Sequence, residues 1–453
     1  MPILNPIALI GWIAVVIALF NTHTPRKATI IAVMGAFLFL PMSLIDLPLL
    51  PSLNKTTSIS FGIVLGELLS GSRQKNPFKL SGFDVPMVLW CFLSPLLTSL
   101  SNGLGLYDGF SNILANFFSW GVIFWAGRRY FGSPESIRDL TNAILIGGLL
   151  YVPVVLFEVR MSPKLHLSIY GFFQHSFDQH FRYGGYRPIG FMQHGLMVAL
   201  WMAEATTTAF WLWRSRCVEK AWKVPIALAF LAFAGSVVLC KSGNGAVFTL
   251  LGILTYFVYS SKRSSKLLKW FILFIPCYFF FRLSNIVTIP QIEAQIARFF
   301  DPERVASLVI RLRQENLFGD RALLRPFLGW GGYGRGWPVD PETGAQLIQM
   351  VDSFWIIVFS TSGIFGLFSI YASLGLGPLS VLAKSGVPKG VDGESPNPFK
   401  ADAVVLSLVV TFFLLDSLIN SMVSPVYILC AGALASYYER GSEHDGIAPL
   451  EAN

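Results

Sequence analysis

Apolar runs of about 18 residues or more recur along almost the whole chain, and this repetition constrains the fold more than any other feature. A segment of that length buries its backbone polar groups in a bilayer only by closing its own hydrogen bonds. Helices and closed barrels are the two solutions. The runs are continuous and do not alternate, so a barrel is excluded. Composition agrees: 53% of residues are hydrophobic and 13% are charged, against about 25% charged in soluble domains. The expected fold is all-α, a single polytopic bundle over residues 1–453. Candidate spans are 4–20, 28–50, 57–70, 83–101, 109–127, 140–159, 188–213, 224–241, 243–260, 267–285, 351–383, 402–418 and 423–438. That is about 12–13 crossings.

The formal net charge of +8 does not point to nucleic acid. The positives fall in every second short loop: Arg26/Lys27, Arg73/Lys75/Lys79, Arg128/Arg129/Arg138, Arg214/Arg216/Lys220/Lys223, Lys262/Arg263/Lys266/Lys269 and Lys384/Lys389/Lys400. The positive-inside rule places these loops in the cytoplasm. Two long loops, 160–187 and 286–350, then lie outside it. Both carry arginines against the rule, which gives those arginines a task other than orientation. Residues 386–400 read as a cytoplasmic linker and 439–453 as a polar cytoplasmic tail. The first apolar segment reads as a retained span, not a cleaved signal. Cys91, Cys217, Cys240, Cys277 and Cys430 have neither metal nor disulfide spacing.

Four stretches carry candidate chemistry. In Tyr186-Arg187-Pro188-Ile189-Gly190-Phe191-Met192-Gln193-His194-Gly195, Pro188 suits the first turn of a helix. Arg187 there faces a lipid phosphate or simply snorkels. In Cys240-Lys241-Ser242-Gly243-Asn244-Gly245-Ala246, two glycines permit close backbone approach. The stretch is an anion site with Lys241 beside it, or a plain hairpin. The loop 286–350 holds seven arginines, Arg298, Arg304, Arg311, Arg313, Arg321, Arg325 and Arg335, and the run Leu328-Gly329-Trp330-Gly331-Gly332-Tyr333-Gly334-Arg335-Gly336. A guanidinium fork matches phosphate oxygens; a solvated basic face is the alternative. The Gly run follows no strand, so it is no dinucleotide fingerprint. Finally Asp352-Ser353 opens an apolar helix, as a site carboxylate, a helix cap, or both. His166, His175, Asp178 and His180 cluster in the first long loop without the spacing of a standard metal site. Glu204 lies within a span.

Together these stretches resemble the O-antigen ligase and polymerase-like superfamily of bacterial envelope glycosyltransferases, over residues 185–375. The order matches: Arg-Pro-x-Gly-Phe with His194, a Ser-Gly-x-Gly-Ala hinge, an arginine loop with Leu-Gly-x-Gly, and Gly363-Ile364-Phe365-Gly366. Ser353, the nine residues Phe354–Ser362, Gly363 and Gly366 fit the ligase spacing, but Asp352 stands where the ligase has a histidine. Arg160 with Gly171, Arg321 with Gly332 and Arg325 with Gly336 fit the arginine–glycine spacing of the polymerase branch.

The resemblance implies a GT-C-like fold in a bacterial inner membrane and a polyprenyl-diphosphate-linked glycan as donor. It implies transfer to an acceptor hydroxyl at the outer face, without nucleotide sugar, metal or other cofactor. A chain-length regulator and a flippase are the implied partners. Asp352 is then the expected general base. Arg187, Lys241, Arg311, Arg325, Arg335 and His194 are the expected donor-binding residues. Polymerisation of repeat units is the leading expectation, ligation to a lipid or protein acceptor the second, and transport of a charged lipid or polysaccharide the third.

Overall fold

The computed structural model describes residues 3–48, 50–70, 79–182, 184–262, 264–284, 286–299, 301–340, 342–347, 351–384 and 398–445. Residues 386–397 of the expected linker 386–400 and the end of the expected tail, 446–453, lie outside the described residues; the last three linker residues instead begin a helix.

The chain is an all-α, multi-pass membrane protein. It opens with α1 (Leu4–Thr22), α2 (Pro25–Phe39) and α3 (Lys55–Leu69). The following stretch forms α4 (Val85–Val88), α5 (Ser94–Ser101), α6 (Gly105–Asn116) and α7 (Val122–Tyr130), with π-helical turns at Leu89–Leu93 and Phe117–Gly121. Next come α8 (Pro134–Met161), the short α9 (Leu165–Tyr170) and a hairpin of β1 (Phe181–Arg182) and β2 (Gly185–Tyr186). Then follow α10 (Gly195–Arg214), a hairpin of β3 (Lys220–Ala221) and β4 (Val224–Pro225), α11 (Ile226–Leu239), α12 (Gly243–Lys262) and α13 (Lys266–Leu283). The second long loop contains α14 (Ile289–Ile296) and α15 (Pro302–Ala322), and the chain closes with α16 (Phe354–Lys384), α17 (Pro398–Asp416) and α18 (Pro425–Asp445).

Among the described residues, five helices are long and apolar enough to cross a membrane: α1, α8, α10, α12 and α16. The central one is α10, whose residues are almost all buried. Inside it, Glu204 accepts a hydrogen bond from the hydroxyl of Tyr427 on α18 (2.7 Å). Small residues let neighbouring backbones meet. A side chain at Gly127 of α7 would strike the carbonyl oxygen of Leu429, and one at Gly432 of α18 would strike that of Phe124.

Several boundaries differ from the sequence expectation, three of them with a local cause. The expected span 28–50 stops at Phe39, because Leu40 is extended before Pro41. The expected span 188–213 starts only at Gly195, with His194 as its N-cap. The expected tail from 439 continues α18 to Asp445. There Glu439 is tied to Arg128 of α7 (2.6 Å).

The expected span 351–383 is one element with a break. Gly363 has φ 64° and ψ −168°, a region open in practice only to glycine. The break frees backbone groups on both sides, and residues 326–331 take them up. Trp330 and Gly331 donate to the carbonyls of Ser360 and Thr361 (2.9 Å each), while Ile364 and Phe365 donate to those of Pro326 and Phe327 (2.7 and 3.2 Å). Thr98 and Asn102 on α5 and its C-cap hold the same segment through the carbonyls of Leu328 and Gly329 (2.9 and 3.0 Å). The Gly-rich run is therefore docked into a membrane helix.

A Cβ on Gly363 would lie 2.3 Å from Phe327 backbone atoms. Gly363→Ala should cost at least about 1–3 kcal/mol from backbone strain alone. Thermal unfolding of the purified variant should show a lowered midpoint, with protease cuts appearing in 326–336. An unchanged midpoint would contradict this docking.

Candidate functional site

Residues 187–194 descend into the bundle as a loop, and three buried side chains hold them there. The Glu158 carboxylate, near the end of α8, accepts the N–H groups of Ile189 and Gly190 (2.7 Å each) and of Leu165 (3.1 Å). The Tyr151 hydroxyl donates to Ile189 and accepts from Phe191 (3.0 Å each). Lys55 donates to the carbonyls of Phe191 (3.0 Å) and Phe37 (3.3 Å). Gly190, at φ 58°, makes the bend; a side chain there would meet the Tyr151 hydroxyl. The expected helical turn at Pro188 is replaced by this long-range capture.

The capture buries Arg187, which is 1% exposed. Its Nε, Nη1 and Nη2 make no hydrogen bond among the described residues. It lies over the start of α10, where a side chain at Gly195 would touch its Nε at 2.6 Å. Four cationic side chains are buried among the described residues: Lys55, Arg128, Arg187 and Arg282. Lys55 has two carbonyls, Arg128 has Asp84 and Glu439 (2.9 and 2.6 Å), and Arg282 has Glu315 (3.0 Å). Arg187 has nothing. A buried charge without a partner costs several kcal/mol. Burial, helped by Arg182, lowers the Arg187 guanidinium to about 10, still charged at neutral pH.

Arg311 approaches from α15. Its Nε donates to Asp352 Oδ2 (3.1 Å), and both side chains are partly exposed. The approach is set one turn further on, at Glu315. That carboxylate accepts from Ser353 (2.5 Å), Trp355 (3.2 Å), Tyr278 (3.1 Å) and Arg282 (3.0 Å). It thereby joins α13, α15 and the start of α16, and fixes Arg311 beside Asp352. Burial pushes the Glu315 carboxyl up, partly offset by these donors. Arg311 is also within electrostatic reach of Arg187 and of Asp416, the last residue of α17. Asp416 in turn accepts from Asn244 of the Ser242-Gly243-Asn244-Gly245 hinge.

Arg311, Asp352, Asp416 and the hinge are thus joined by a chain of contacts, and Arg187 lies over the start of α10, whose Ala199 packs on Gly245 of the hinge. The other expected residues go elsewhere. Lys241, in a left-handed backbone conformation, donates to the carbonyl of Arg182 (3.1 Å) and ties the hinge to the β1–β2 hairpin. Arg325 is bonded to Asn102, and both it and Arg321 stack on Trp330, at 4.6 and 3.8 Å from the ring centre. Arg335 is exposed on the 3-10 turn Tyr333–Gly336. No hydrogen bond or ion pair among the described residues joins Arg325 or Arg335 to Arg311. His194 caps α10 through Nδ1, which accepts from Leu196 (3.1 Å), and its Nε2 meets Gln179 (3.2 Å). Asp416, Asn244 and Glu315 were not singled out from sequence. Their only local signal is polarity at the edge of an apolar run.

The histidines are structural in part. His166 accepts from the Met42 N–H at Nε2 (3.2 Å) and donates from Nδ1 to the Phe172 carbonyl (2.9 Å), so it is the neutral Nδ1–H form. Among the described residues no group of three or more His, Cys, Asp and Glu is arranged to hold a metal ion. No protein-family model matches the chain, and no curated protein is similar to it beyond chance.

Burial lowers His166 to about 4, and also lowers His180 and His194. Unfolded histidine titrates near 6.5, so unfolding takes up protons below that pH. The stability these groups confer is complete above about 6.5 and is lost as the pH falls toward 4. The thermal midpoint should drop across that window, and His166→Phe should flatten the drop. A flat wild-type profile would contradict the assigned neutral forms.

Proposed function

We propose that this chain is a GT-C-like glycosyltransferase of a bacterial inner membrane, with the two long loops on the outer side and the 12–13 crossings expected from sequence. It transfers a glycan from a polyprenyl diphosphate to a hydroxyl of another glycan, and so polymerises repeat units of a surface polysaccharide. The observation that carries this reading is the buried, unpartnered Arg187 guanidinium within reach of Arg311. One buried cation and a second held by an exchangeable ion pair, at the edge of an apolar bundle, fit a diphosphate attached to a lipid. Oxygens of the diphosphate would complete Arg187 and draw Arg311 from Asp352. Charge that builds on the leaving diphosphate as the sugar C–O bond breaks is then stabilised without reorganisation. Asp352, released from Arg311, would border the acceptor hydroxyl. Arg325, held on Trp330, would keep the Gly-rich loop seated.

Within enzymes, ligation to a lipid or protein acceptor is the alternative, and Asp352 in place of a histidine speaks against it. The break in α16 favours a transporter, because interrupted helices bind ions and substrates in such proteins. Here, however, the freed Ser360 and Thr361 carbonyls already accept from Trp330 and Gly331, which leaves them without a role for a transported ion.

Deletion of the gene should collapse long glycan chains to single repeat units, read by sizing lipid-linked and surface glycans. Long chains retained on the lipid carrier would point to ligation. Repeat units trapped on the cytoplasmic side would point to transport and sink both transferase readings.

Arg187→Met keeps length and removes the buried charge. Removing an unpaired buried charge relieves a desolvation cost of several kcal/mol. The ligand-free variant should unfold at the wild-type midpoint or above it, and should lose the upward shift that inorganic pyrophosphate gives wild type. A clearly lowered midpoint would assign Arg187 to the fold instead.

A further inference from the structure

We propose that Asp416 is the proton acceptor of the transfer reaction, an inference that rests on the function proposed above. Asp416 ends α17 and is 3% exposed. A carboxylate at a helix C-terminus opposes the helix dipole, so capping does not account for it. Its Oδ1 accepts from both Asn244 and Asn420, the latter at 2.7 Å. Among the described residues no group donates to Oδ2. One oxygen is thus clamped and the other is left open.

The backbone ties the clamped residue to the start of α16, next to Asp352. Ser417 and Asn420 accept the N–H of Phe354 through their carbonyls (3.1 and 3.2 Å), two residues beyond Asp352. The Ser417 hydroxyl meets Tyr371 of α16 (2.8 Å). The end of α17 and the start of α16 are pinned together, so Asp352 and Asp416 both stand within the field of Arg311. The hinge supplies Asn244, whose neighbour Gly245 packs against Ala199 of α10. α10 begins beneath Arg187.

The two carboxylates differ in environment. Asp352 is 46% exposed and bonded to a guanidinium. Asp416 is buried and held by neutral amides. Asp352 is engaged by Arg311, whereas Asp416 Oδ2 has no donor among the described residues. The division of labour follows: Asp352 parks Arg311 until the donor arrives, and Asp416 accepts the proton. In the step, the acceptor hydroxyl oxygen bonds to the anomeric carbon. The bond from that carbon to the diphosphate oxygen breaks, and its electron pair leaves with the polyprenyl diphosphate. The hydroxyl proton passes to Asp416 Oδ2 and then to solvent.

The test compares Asp416→Asn, Asp416→Ala and wild type in membranes of the deletion strain, reading glycan chain length. Binding is read separately, as the thermal shift that farnesyl diphosphate gives each purified protein. Asn preserves an acceptor for both amides and cannot take the proton. Asp416→Asn should lose at least about 100-fold in transfer and keep the wild-type shift. Asp416→Ala should regain part of its transfer with added formate, a small replacement base. Transfer by Asp416→Asn within about tenfold of wild type overturns the assignment. So does loss of the farnesyl diphosphate shift in Asp416→Asn, which would make Asp416 a structural partner of Asn244. A wild-type protein that gives no shift, with a deletion that leaves glycans unchanged, removes the reaction itself and the proposal with it.

Discussion

A charge buried in an apolar bundle has to be answered, and the architecture is arranged around one that is not. The other buried cations among the described residues are answered: Arg128 has Asp84 and Glu439, Arg282 has Glu315, and Lys55 has two carbonyls. At Arg187 the same bundle leaves three guanidinium nitrogens without a partner. The cost is sustained because Glu158, Tyr151 and Lys55 overdetermine the loop that carries it. That combination, a firmly held backbone presenting an unanswered charge, is what the proposed diphosphate site rests on.

The remaining parts serve the same corner. Glu315 ties α13 and α15 to α16, so Arg311 reaches Asp352 from a rigid helix and not from a free loop. The break at Gly363 lets residues 326–331 enter α16 as a docked strand-like segment, which anchors the end of the arginine loop. Arg321 and Arg325 then close over Trp330. Only part of the arginine cluster thus faces the site; the rest builds the loop that carries it.

How much of this was legible in the sequence depended on range. The bundle was legible, because apolar length is a local property. Arg187 and Asp352 were legible as charges at the edges of spans and Arg311 as one of the loop arginines, though the contacts that relate them were not. The loop 187–194 read as helix because Pro188 suits a first turn; its descent depends on Glu158, about thirty residues away in sequence, and the i-to-i+4 pattern carries no trace of that. Asp416 read as the end of a span. Its significance comes from Asn244, which is distant in sequence and adjacent in space. Arg325 read as a ligand because a guanidinium fork matches phosphate oxygens, while its stacking on Trp330 depends on a turn between them.

The most direct measurement is an experimental structure in lipid nanodiscs with farnesyl diphosphate bound. The account requires a phosphate within hydrogen-bond distance of the Arg187 guanidinium, with Arg311 moved from Asp352 onto the second phosphate. An Arg187 that stays unpartnered while the diphosphate sits elsewhere, or that is answered by a protein carboxylate, would contradict it.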